Sequence, residues 1–77
     1  MNYEKEILRQ YGVFSRNESG WTKEVNLISW NNKKPKIDIR SWDAEHDRSA
    51  KIATFTEEEI QLLIEILNTI DFVELEA

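Results

Sequence analysis

The chain of 77 residues contains no cysteine, which excludes disulfides, zinc–thiolate sites and a cysteine nucleophile together. Stabilisation must therefore come from packing, and a reducing compartment suits such a chain. No apolar run approaches the roughly 20 residues needed to cross a bilayer. The opening MNYEKEILRQ also lacks the apolar centre of a signal peptide. The expectation is a soluble, unprocessed, cytoplasmic protein. One histidine, His46, and two glycines supply no glycine-rich phosphate loop, nucleophile elbow or Ser/His/Asp set. Asp43-Ala-Glu-His-Asp47 has metal-ligating residue types crowded without a recognised ligand spacing, as a solvated charged loop would. Asp38 and Asp43 would make a general acid and base in principle, but Asp38 lies between Lys36 and Arg40 on one strand face, where a structural ion pair is the simpler reading. Catalysis is not expected, and neither a cofactor nor a metal is called for.

A domain this small buries a modest fraction of its surface, so homodimerisation is expected from length alone. The net charge of −5 is unevenly distributed. From residue 57 onward there are seven acids and no Lys or Arg, whereas residues 1–56 hold all ten basic residues against eight acids, a net of +2. Screening limits electrostatic reach to roughly 8 Å in physiological salt, so an overall acidic molecule can still present a cationic face.

Hydrophobic patterning predicts four strands and then a helix. Residues 3–16 suit either a helix, on the propensities of Glu, Lys, Leu and Arg, or a strand bent near Gly12 by Tyr11, Val13 and Phe14; the strand is preferred. Asn17–Gly20 reads as a turn, with Gly20 able to supply a positive φ. Residues 21–30 alternate, but both sets of side chains include apolar members, so the inward face is not fixed by this strand. After the turn Asn31–Pro35, residues 36–42 place Ile37, Ile39 and Ser41 on one face, the expected core side. Lys36, Asp38, Arg40 and Trp42 take the other, the expected wet side. A polar loop, 43–50, leads to a fourth strand at 51–55. Thr56 with Glu59 forms a capping box, and Glu57, Glu58 and Glu59 complement the helix dipole. Ile60, Leu63, Ile64, Leu67 and Ile70 then make an apolar stripe over about 57–70, expected on the isoleucine face of the sheet with part left for a second subunit.

The segment from Trp21 to Trp42 carries three tryptophans and five basic residues, Lys23, Lys33, Lys34, Lys36 and Arg40. Aromatic faces beside cations suit an unpaired nucleic-acid strand, because every base stacks and every nucleotide carries a phosphate. Trp30, Lys33, Lys34, Lys36, Arg40, Trp42 and Lys51 are the candidate binding residues, with Lys23 in second rank. Replacing Trp30 or Arg40 by alanine is expected to weaken binding and spare the fold. The competing reading makes the tryptophans core and the lysines solubilisers of an edge turn. In that case the helix stripe and exposed aromatics would serve a protein partner.

The run Gly20-Trp21-x-Lys23-Glu24-x-Asn26-x-x-Ser29-Trp30-Asn31, then Pro35-Lys36-x-Asp38-Ile39-Arg40-x-Trp42, then Lys51 before Thr54-x-Thr56-Glu57-Glu58-Glu59 resembles the YdbC-like bacterial branch of the positive-cofactor-four transcriptional coactivator family, over roughly residues 6–68. The resemblance implies an α+β homodimer whose curved antiparallel sheets present grooves for single-stranded DNA, with little sequence preference and with the helices behind. It also implies binding roles for Trp30, Lys33, Lys34, Arg40, Trp42 and Lys51. One position departs: family members commonly have Lys-Gly before the last strand, where this chain has Lys51-Ile52, and a branched residue does not freely take a positive φ.

Overall fold

The computed structural model describes residues 4–76. Its element order is β1 (Lys5–Arg16), β2 (Thr22–Trp30), β3 (Lys36–Trp42), β4 (Ser49–Phe55) and α1 (Glu57–Leu67), with a short 3-10 turn at Phe72–Glu76. The four strands form one antiparallel open sheet in sequence order, giving the α+β class expected from the sequence. Tyr3, included in the expected first strand, lies outside the described residues. No helix among the described residues is long and apolar enough to cross a membrane.

The first two turns follow from their residues. Asn17 Oδ1 accepts from the backbone N–H groups of Ser19 and Trp21, and Gly20 takes φ +89°. Asn31 and Asn32 adopt φ of 52° and 62°, and Lys33 N donates to Trp30 O at 2.9 Å. Two successive left-handed residues match the right-handed twist of a hairpin, and asparagine tolerates that region better than most.

Three irregularities interrupt the β1–β2 ladder, and the unpaired residues are Leu8, Tyr11 and Phe14. A fourth leaves Ile52 unpaired on β4, between Lys51 opposite Arg40 and Ala53 opposite Ile39. The branched residue at the departing position is thus accommodated as a bulge, with Lys51 still in register. Bulges add bend and twist, and the sheet curls strongly about one face. Lys5 pairs with Trp30 and Trp42 with Thr22, so they lie eight β2 residues apart, about 26 Å along a straight strand. Yet Lys5 Nζ sits 5.4 Å from the Trp42 ring centroid.

The curl reverses the expected wet side. Asp38 is 0% exposed and Trp42 1%, and across β2 Glu24, Asn26 and Ile28 are equally enclosed, whereas Ile37 and Ile39 are only half-buried. The inward set of β2 is therefore Thr22, Glu24, Asn26, Ile28 and Trp30, a choice that alternation alone left open.

The capping box of α1 is present, with Thr56 Oγ1 accepting from Glu59 N and Glu59 Oε1 accepting from Thr56 N. The helix rests on the isoleucine side near β3 and β4, where Ile60 joins Leu27, Ile37 and Phe55 around a groove of about 300 Å³. It ends at Leu67, short of the expected 70, as Asn68 caps it and the Thr69 hydroxyl donates to Ile66 O. Its stripe is only half-buried at Ile60 and Leu63. Leu62, Ile64, Ile66, Leu67 and Ile70 remain exposed, as do Phe72, Val73 and Leu75.

Candidate nucleic-acid interface

The β2–β3 turn and the adjoining ends of β3 and β4 enclose an open depression of about 480 Å³, lined by Trp30, Asn31, Lys33, Lys34, Lys36, Arg40, Lys51 and Thr54. Six of the eight residues singled out in the sequence meet there, and none of the lining side chains is a carboxylate. Asn31 and Thr54 were missed. Asn31 does carry a signal, since paired asparagines between strands mark a tight turn, but Thr54 joins only because the bulge at Ile52 shifts the alternation of β4.

The turn presenting Lys33 and Lys34 is tied down on both sides. Ser29 Oγ donates to Lys33 O at 2.7 Å, Asn31 N to Glu4 O at 2.7 Å, and Glu4 N to Asn31 Oδ1 at 2.9 Å. Lys33, Lys34, Lys36 and Lys51 are exposed. Lys34 and Lys36 also border the groove beneath the helix start, where Glu57 is a neighbour, so the acidic helix lies on the other face but shares this rim.

Arg40 is held differently from the lysines. Its Nε and Nη2 donate to Asp38 Oδ1 and Oδ2 at 2.7 and 2.9 Å, and Nη1 donates to Ser49 Oγ at 2.9 Å. The ion-pair reading of Asp38 is thereby observed. The guanidinium carbon stands 4.4 Å from the Trp30 ring centroid and 5.8 Å from that of Trp42, within cation–π range. Arg40 is thus a flat, neutralised support behind Trp30, with its side chain 12% exposed. The expectation that Arg40→Ala spares the fold is corrected accordingly, because that change would strand a fully buried Asp38.

Two further candidates are placed elsewhere. Trp42 is sealed beneath Lys5, Arg40 and His46, the His46 ring stacking on it with centroids 5.4 Å apart and planes at 26°, so it is not an open platform in the free chain. Its position opposite Thr22 on the concave side forces this enclosure. Lys23 is exposed but belongs to the odd-numbered set of β2, paired across to Ser41 and Ser15. It projects from the helix side and does not line the depression.

Beneath these residues lies a polar hub that the sequence did not disclose. Glu24, 1% exposed, accepts from the Thr22 hydroxyl, from Gln10 Nε2 at 2.9 Å and from Asn26 Nδ2 at 3.3 Å, and its Oε2 lies 2.8 Å from His46 Nε2. Burial pushes the Glu24 carboxyl up, but the bonds from Thr22, Asn26, Gln10 and His46 outweigh it and hold the group below the usual carboxylate range. An ionised carboxylate only accepts, so the His46 ring donates this bond.

No family model matches the chain. It is 35% identical over 68 residues to an uncharacterized protein of Treponema pallidum (strain Nichols), a match covering 88% of this chain and 80% of that protein. The chain belongs to the same protein family as that Treponema protein.

Proposed function

We propose that this protein is a non-enzymatic, cofactor-free binder of single-stranded nucleic acid, DNA in the first instance and RNA by the same chemistry. It acts in the cytoplasm as a homodimer with little base preference, in the manner of the positive-cofactor-four coactivators that its motifs resemble, and so in transcription. The observation that carries this reading is the convergence of one partly open indole, Trp30, with four exposed lysines around a depression whose lining holds no acid. A base stacks on Trp30, which Arg40 backs, while Lys33, Lys34, Lys36 and Lys51 meet phosphates. The homodimer is supported by the exposed apolar helix residues and the Phe72–Leu75 side chains, a surface that a second copy covers at low cost in desolvation. That same surface favours the second reading, a module whose partner is another protein.

Salt separates the two. Four lysine–phosphate contacts on a single strand give a slope of about −2.8 in log affinity against log salt, or roughly a 50-fold loss between about 50 and 200 mM; an apolar protein contact is not weakened this way. A titration of tryptophan fluorescence with a short oligothymidine at those two concentrations should show saturable quenching with that loss. Salt-insensitive or unsaturable behaviour would count for the protein partner. In the same assay Trp30→Ala should weaken binding by about 5- to 150-fold, the value of one stacked base at about 1–3 kcal/mol.

A further inference from the structure

The connection from Asp43 to Arg48 is built to carry one ring into the concave face. Asp43 N donates to Arg48 O, His46 N donates to Asp43 O, and the Asp43 carboxylate accepts from Asp47 N at 2.8 Å and Arg48 N at 3.1 Å. At its tip His46 takes φ +60°, a left-handed conformation that costs free energy in a non-glycine residue and is kept only where its surroundings impose it. Here the surroundings are Glu24 and Trp42. An imidazole lying at 26° to an indole with centroids 5.4 Å apart has the offset-stacked arrangement of aromatic pairs, which is also how a base meets an aromatic platform. The Trp42 Nε1–H finds no acceptor among the described residues, nor does that of Trp30.

We propose that Trp42 is a second base-stacking subsite which His46 occupies in the free protein, and that a nucleobase takes it only by displacing His46, so that the His46 loop restrains binding. This rests on the nucleic-acid reading above and adds its regulation. The groups around the imidazole set how firmly it is held. Glu24 on β2 is nearest, at 2.8 Å, and is ionised. Lys5 on β1 and Arg40 on β3 also lie over the same indole, but Arg40 is neutralised by Asp38. In the loop itself Arg48 is paired with Asp43 at 3.4 Å. The bond to Glu24 and the stack on Trp42 together hold the ring in place, and displacement must break both.

In the full chain at constant salt and pH, His46→Asn, which removes the ring yet suits a positive φ, should bind a short oligothymidine more tightly than the parent by about fivefold or more, because the subsite no longer has to be vacated first. His46→Phe keeps a ring on Trp42 but loses the bond to Glu24, and should bind with intermediate affinity. Equal or weaker binding by both variants, with the melting temperature of the parent retained, overturns the proposal while leaving the nucleic-acid reading in place. Absence of saturable binding by the parent and both variants overturns both.

Discussion

Asp38→Ala should lower the melting temperature by on the order of 12–40 °C, or abolish folding altogether, as read by thermal circular dichroism. Asp38 is fully enclosed, and the guanidinium it holds through two bonds of 2.7 and 2.9 Å is itself largely covered. Removing one member of such a pair leaves a buried charge without compensation, a cost of about 3–5 kcal/mol, against a total stability of roughly 5–15 kcal/mol for domains generally. The pair also fixes the plane against which Trp30 lies. Asp38→Ala combined with Arg40→Met removes both charges and should recover a substantial part of the loss, since neutral apolar replacements of buried pairs are well tolerated. A single variant that melts within a few degrees of the parent would show that the pair contributes little to the fold.

The second large effect concerns the lysines alone. Changing Lys33, Lys34, Lys36 and Lys51 together to alanine should flatten the salt slope from about −2.8 to near zero and remove the roughly 50-fold dependence between about 50 and 200 mM. Melting should hardly move, because exposed substitutions of this kind usually change stability by less than about 0.5 kcal/mol each. The contrast is between two kinds of cation in one depression: Arg40 already has its carboxylate, whereas the lysines are exposed to solvent. A slope that survives the fourfold change would place the phosphate contacts elsewhere on the molecule.

Local chemistry made much of this architecture legible. Thr56 and Glu59 marked the helix start because a capping box needs only neighbours in sequence, and residues 36–42 declared two faces because the period of a strand is two. The meeting of Trp30, Lys33, Lys34, Lys36, Arg40 and Lys51 followed from one hairpin plus its neighbouring strand. What alternation could not supply was the direction of curl. It sets which face becomes concave and thereby encloses Asp38, Glu24 and Trp42 while leaving Ile64 and Leu67 exposed. Polar burial depends on partners far apart in the chain, as Gln10, Glu24 and His46 are, and no local pattern announces such a hub. Lys5 was overlooked for the same reason, since nothing near it in sequence hints that it reaches Trp42.

The bulged first strand has a consequence for how the protein behaves when crowded. A free sheet border normally offers a neighbouring copy a regular row of amides and carbonyls on which to polymerise. Here an unpaired residue at Leu8, Tyr11 and Phe14 breaks the ladder at every third position, so no more than three consecutive residues of β1 stay in regular register. An incoming strand would lose its alignment within a single turn of the pleat. The irregularity that bends the sheet therefore also discourages fibre growth along that border.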